Sequence, residues 1–174
     1  MRRLRASTFA TSAVLFAFAC SPVPRTTTHR TLRLVIMGGA SADVYLKGAR
    51  AWEALDFVAS FADSGHTECA RHWYEDSPTC QLTIGIVRDP TLRQREGTTA
   101  LSDRDARTIR IDSSVTEFFA LLIAVAHEVG HIVLDTPLHT QGGIMGGSAF
   151  TMTDVDRQLA CTTVHVCLGA SKRP

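Results

Sequence analysis

The chain has 174 residues, enough to bury a core, with 45% hydrophobic and 20% charged residues, so global disorder is excluded. Lys+Arg 18 against Asp+Glu 17 leaves a net charge of +1, and that balance gives no electrostatic case for nucleic-acid binding.

Residues 1–19 read as an export signal. Arg2, Arg3 and Arg5 form a basic start, and Ala6 to Ala19 is apolar and uncharged. That run is too short for a membrane span, which needs ~20 residues. It ends Ala17-Phe18-Ala19-Cys20, which resembles a bacterial lipoprotein box. The resemblance implies cleavage before Cys20 and lipid on its thiol. The mature chain would then hold a net charge of about −2, because three arginines leave with the signal. Residues 20–31, rich in Pro and Thr, read as a tether. The expected place is the bacterial cell envelope, lipid-anchored on a periplasmic or extracellular face.

With Cys20 lipidated, Cys69, Cys80, Cys161 and Cys167 remain. An even number in an exported chain suggests two disulfides. Three connectivities are possible, and the local pairs Cys69–Cys80 and Cys161–Cys167 are expected. The competing reading is a second metal site from His66, Cys69 and His72, spaced H-x2-C-x2-H.

Leu32 to Met37 reads as a strand ended by Gly38-Gly39. Asp43 to Asp63 carries apolar residues mostly at helical spacing and predicts one long amphipathic helix with Trp52 inward. Ser64 to Thr79 is a polar loop. Gln81 to Val87 alternates and predicts a strong strand. Arg88 to Gly97 predicts a loop, Thr98 to Leu101 a short strand, Ser102 to Arg107 a turn, and Thr108 to Asp112 a strand. Ser114-Val115-Thr116-Glu117 matches a capping box. The helix it would open runs from Val115 to about Leu134, about 30 Å long. It is apolar around most of its circumference and so belongs inside a domain.

Within it stands His127-Glu128-Val129-Gly130-His131. Histidines four apart share one helix face, and their rings can hold a single Zn²⁺. Glu128 lies where its carboxylate could take a proton from water at the metal. Three ionisable groups buried without partners would be costly, and a metal removes that cost. A catalytic zinc takes a third protein ligand and leaves one position open. Asp135 continues the spacing but lies about 12 Å from His127 along the axis. Pro137 disfavours helix at Thr136, so the chain is expected to turn back and present His139. Next, Gly142-Gly143-Ile144-Met145-Gly146-Gly147 allows a tight turn that would set Met145 beneath the site. Thr153-Asp154 is a plausible cap for a last helix reaching about Cys167, with Val155, Leu159, Thr162 and Val166 on one face.

His127-Glu128-x-x-His131, a nearby third His and a glycine-flanked Ile-Met resemble the metzincin clan of zinc metallopeptidases. The resemblance covers roughly residues 32–168. The clan's pattern is H-E-x-x-H-x-x-G-x-x-H; here Leu134 stands at the glycine and His139 falls two residues late. The expected fold is α+β: a small twisted mixed sheet on two long helices, zincin-like, with a small C-terminal helical subdomain. The expected catalytic domain is 32–170, with subdomains 32–134 and 135–170. The resemblance implies a zinc metalloendopeptidase acting on a peptide or protein laid along an edge strand near Thr98–Leu101. His127, His131 and His139 would hold Zn²⁺, Glu128 would activate the zinc-bound water, and Met145 would form the Met-turn. The alternative is a non-catalytic metal-binding or partner-binding lipoprotein on the same fold.

Overall fold

The structure is a computed structural model that describes residues 30–37, 42–55, 57–61, 67–70, 72–75 and 80–167. The signal, Cys20, the tether up to residue 29, Gly38-Gly39 and His66 lie outside them. The fold is mixed α and β. Five strands form one sheet in the order β2-β1-β3-β5-β4. They are β1 (Arg30–Met37), β2 (Phe57–Phe61), β3 (Gln81–Asp89), β4 (Ala100–Asp103) and β5 (Thr108–Asp112). β4 is antiparallel to β5, and the other pairings are parallel. The helices are α1 (Ala42–Arg50), α2 (Leu92–Glu96), α3 (Phe118–Val133) and α4 (Asp154–Thr163).

Alternation in β3 and β5 fixes which face meets the helices. Leu82, Ile84, Ile86, Ile109 and Ile111 are buried, while Thr83, Gly85 and Arg110 between them are only partly covered. α3 supplies the facing surface through Leu121, Leu122, Val125, Val129, Ile132 and Val133, all buried. Each such side chain contributes roughly 1.5–3 kcal/mol. α1 crosses α3 closely because Gly48 has no side chain: a Cβ there would come within 2.7 Å of Val125 Cγ1.

The long helix expected over Asp43–Asp63 is not formed. α1 ends at Arg50, a short 3₁₀ turn covers Glu53–Leu55, and Phe57–Phe61 is strand β2. The apolar residues of this stretch fit both periods, and pairing decided between them. β2 lies parallel to β1 in register Arg30↔Phe57 to Leu34↔Phe61, with Phe57 and Ala59 inward and Val58 outward. Trp52 is buried as expected. Among the described residues only α3 is a long helix. The expected loop Arg88–Gly97 instead extends β3 to Asp89 and forms α2, closed by Gly97 at φ 69°. The edge strand begins at Ala100, two residues later than expected.

α3 also starts later than the capping box predicted. Ser114 serves the preceding turn: its N–H and hydroxyl both donate to Asp112 Oδ1. Asp112 Oδ2 accepts the Arg93 N–H at 2.8 Å. The Ser114 hydroxyl, with the Arg93 and Ser114 N–H groups, holds the Asp112 carboxyl down to about 2. The cap is Glu117, whose Oε2 accepts the Ala120 N–H at 2.6 Å. At the other end Trp73 Nε1 donates to the Val133 carbonyl at 2.7 Å, which satisfies one of the carbonyls a helix end leaves open.

α4 ends at Thr163, short of Cys167, and buries Asp156, Ala160 and Val164 rather than the face through Val155, which is exposed. The disulfides are local: Cys69–Cys80 and Cys161–Cys167. The first removes Cys69 from any site with His66 and His72. Among the described residues, no helix is long and apolar enough to cross a membrane.

Candidate metal centre

The last two turns of α3 bring His127 and His131 onto one face, and their Nε2 atoms lie 3.1 Å apart. Each ring is held by its other nitrogen. His127 Nδ1 lies 2.9 Å from the Ile144 carbonyl oxygen, and His131 Nδ1 lies 2.8 Å from that of Thr136. A carbonyl oxygen only accepts, so Nδ1 carries the proton in both rings. With both rings neutral, the two Nε2 atoms present lone pairs towards each other, and neither can donate to its neighbour. A shared cation resolves that arrangement. Two nitrogens at ~2.0–2.1 Å from one tetrahedral zinc would stand about 3.3 Å apart.

His139 joins them from the loop. Its ring stacks on His127 at 5.0 Å and meets His131 edge-on at 4.8 Å. One ligand atom from each of the three lies within 4.8 Å of the others, close enough to hold a metal ion. The two helical rings are largely covered, and His139 is exposed. Burial is the main reason the His131 pKa falls from 6.5 to about 4; the Thr136 carbonyl opposes the shift, and His127, His139 and Arg104 add to it. His131 is therefore neutral at pH 7, the form that binds metal.

Glu128 is buried at 7% exposure and makes no hydrogen bond or ion pair among the described residues. It lines a cleft of about 350 Å³ together with His127 and His139. The cleft runs between Thr98–Ala100 at the β4 edge, Ala120, Ile123 and Ala124 on α3, and Met145 to Gly147. A larger hollow, about 800 Å³, is lined by Val35, Glu68, Thr83, Gly85 and Arg107 and includes none of the three histidines. The histidine cluster opens on the smaller one.

Asp135 is not a ligand. The chain turns there through φ 43°, a left-handed conformation. Its carboxylate faces Arg104 and His72 instead.

Met145 is fully buried, and its sulfur lies against Gly130 of the helix motif. A Cβ at Gly130 would overlap both Met145 Sδ and the Trp52 ring, so this packing needs glycine. Trp52 Nε1 in turn donates to the Ala126 carbonyl, one residue before His127. The Met145 carbonyl accepts the Thr140 N–H at 3.3 Å, which ties the turn to the residue after His139.

One residue of the site has no signal in the helical pattern. Asp156, on α4, is fully buried. Its Oδ2 accepts the Ile144 N–H at 3.0 Å, and its Oδ1 accepts the Met145 N–H at 3.0 Å. Thr153 adds its N–H and hydroxyl at 2.9 and 2.7 Å. Gly143 makes room, since a Cβ there would come within 2.6 Å of Oδ2. The Ile144 peptide thus bonds Asp156 at one end and His127 at the other. The sequence predicts a cap at Thr153-Asp154 but does not single out Asp156, whose side chain closes a capping box with Thr153 in the structure.

No protein-family model, curated protein or solved structure matches this chain.

Replacing Asp156 by Asn puts an N–H₂ group against backbone N–H donors. The Asp156→Asn variant is expected to lose about 2–3 kcal/mol of stability in denaturant titration and to hold metal more weakly through His127. Unchanged stability would show that the turn does not depend on this carboxylate. The depressed His131 pKa sets a second expectation. Between pH 6.5 and 4 the unfolded chain takes up a proton that the folded chain refuses. The melting temperature of metal-free protein should therefore fall as pH drops through that window, and less so in His131→Gln. Identical profiles would remove His131 as the cause.

Proposed function

We propose that this chain is a zinc-dependent metalloendopeptidase of metzincin-like type. The observation that carries the reading is the pair of Nε2 atoms facing each other at 3.1 Å while both Nδ1 atoms bond carbonyl oxygens, with His139 beside them. The donor set among the described residues, three imidazoles with no thiolate or fourth protein ligand, is that of an open catalytic zinc site. Asp135, the other candidate, is engaged by Arg104 and His72, which speaks against a closed structural site.

When bound, zinc supplies Lewis acidity, polarising a carbonyl and acidifying a water. Glu128 does the proton work. Its buried carboxylate takes the proton from the attacking water and passes it to the leaving amine. The site provides no protein acceptor that competes for it. The outer edge of β4 has no strand partner among the described residues, so an extended substrate backbone can pair there beside the cleft. Small residues at Ala120 and Ala124 leave space for a substrate side chain over α3. Met145 and the glycines beside it form the opposite wall.

The same reading includes a lipoprotein of the cell envelope, cleaved and lipidated at Cys20, and α4 as the core of a small C-terminal subdomain under the metal centre. Two disulfides fit export to an oxidising compartment. The cleft and the unpaired Glu128 favour catalysis over a non-catalytic metal- or partner-binding lipoprotein.

The test measures zinc content and cleavage of an unfolded protein by the purified chain. About one zinc per chain is expected. Glu128→Gln should keep the zinc and lower cleavage by about 10²–10⁴-fold, the usual contribution of a general base. His139→Ala should lose zinc. Cleavage that survives in Glu128→Gln would end the mechanism, and zinc bound equally well by His139→Ala would remove the third ligand.

A further inference from the structure

The chain reaches its third histidine by a route that needs explaining. Seven residues separate His131 from His139, and His139 stands exposed on a loop. Ordering each such residue costs about 1–2 kcal/mol in backbone entropy. The turn also passes through Asp135 at φ 43°, a conformation that non-glycine residues hold only when their surroundings impose it.

Those surroundings come from two distant parts of the chain. Arg104, in the turn between β4 and β5, donates from Nη1 to the Asp135 carbonyl at 3.1 Å and to Oδ1 at 3.2 Å. His72 Nδ1 lies 3.2 Å from the other carboxylate oxygen, Oδ2. The next residue, Thr136, is bonded twice to the second ligand. Its N–H donates to the His131 carbonyl at 3.2 Å, and its own carbonyl accepts from His131 Nδ1 at 2.8 Å. One clamped turn therefore orients His131 and aims the segment that carries His139.

We infer that Arg104 is a positioning residue for the metal centre: by clamping Asp135 it holds the left-handed turn that returns His139 to His127 and His131. The inference rests on the metal reading above.

The sign of one measurement separates this role from simple electrostatics. Arg104 is a cation near enough to His131 to oppose positive charge there. If its charge were all that mattered, removing it would tighten zinc binding. If it acts as a clamp, removing it loosens zinc.

The experiment is a zinc titration of the purified full-length chain against a chromophoric chelator. It compares wild type, Arg104→Ala, Arg104→Lys, Asp135→Gly and the Arg104→Ala/Asp135→Gly double variant. Thermal melts of the metal-free proteins separate folding from metal binding. Arg104→Ala is expected to weaken zinc about 10–100-fold, the range for residues that orient metal ligands. Arg104→Lys keeps a donor that can reach both oxygens and should recover most of the affinity. Asp135→Gly tolerates the positive φ but lacks the carboxylate, so it should also weaken zinc. The double variant should be weakened by less than the product of the two single losses, because both act through one contact. Zinc bound as tightly or more tightly by folded Arg104→Ala would overturn the inference, and so would losses that multiply. If Arg104→Ala does not fold, Arg104→Met, which keeps the apolar stem but donates nothing, decides, and wild-type affinity there overturns it. A wild-type chain that binds no zinc would overturn the metal reading itself and this inference with it.

Discussion

The metal centre depends on two hydrogen bonds from imidazole to backbone. His127 to the Ile144 carbonyl and His131 to the Thr136 carbonyl fix the tautomer of both rings and aim both free nitrogens at one point. Without these bonds each ring could flip or protonate, and the pair would be ordinary histidines on a helix. The two carbonyls sit on the two turns that follow α3. The turn at Asp135 serves His131, and the turn at Met145 serves His127. Much of the remaining structure keeps those two turns in place.

The holding is done by unlike means. At the Met145 turn a fully buried carboxylate, Asp156, accepts two backbone N–H groups, and glycine at Gly130 and Gly143 allows side chains to come close. At the Asp135 turn a cation from the sheet, Arg104, and a histidine from the loop before β3, His72, engage one carboxylate. The first device is rigid and dry, and the second is half-open to solvent. They meet in the backbone bond between Thr140 and Met145, next to His139. The helix between them is fixed by Trp52 and Trp73, whose indoles donate to the Ala126 and Val133 carbonyls on either side of the motif. A polar cluster thus survives in an apolar helix because the groups around it are paired, apart from Glu128 and the free imidazole nitrogens. Those unpaired groups face one cleft.

The legible parts of the fold were those in which local pattern and tertiary need agree. β3 and β5 alternate strictly, and α3 is apolar at helical spacing, so each element was readable. Asp43–Asp63 was not, because its apolar residues suit a helix and a strand alike; the edge of β1 made Phe57–Phe61 a strand. The start of α3 was misplaced for a similar reason. Ser114 has two partners within reach, the free N–H donors of the helix start and the carboxylate of Asp112, and the buried Asp112 won. In α4 the sequence pattern favoured the face with Val155 and Leu159. A buried aspartate reversed that choice, since four donors waiting for it outweigh its polarity.

By itself the sequence determined the ligands on the helix. His127 and His131 are four residues apart, so helix geometry alone places them on one face, with Glu128 beside the first. It determined the local disulfides as the expected pairing, and it marked His139 and Met145 by spacing and by glycine. Only the tertiary structure decided how the longer connection from His131 to His139 closes. That closure rests on Arg104 and His72, which are far from the motif in sequence, and on Asp156, whose partners are backbone groups that no residue type announces. Local periodicity encodes what one element presents. Contacts between elements decide whether the presented groups converge.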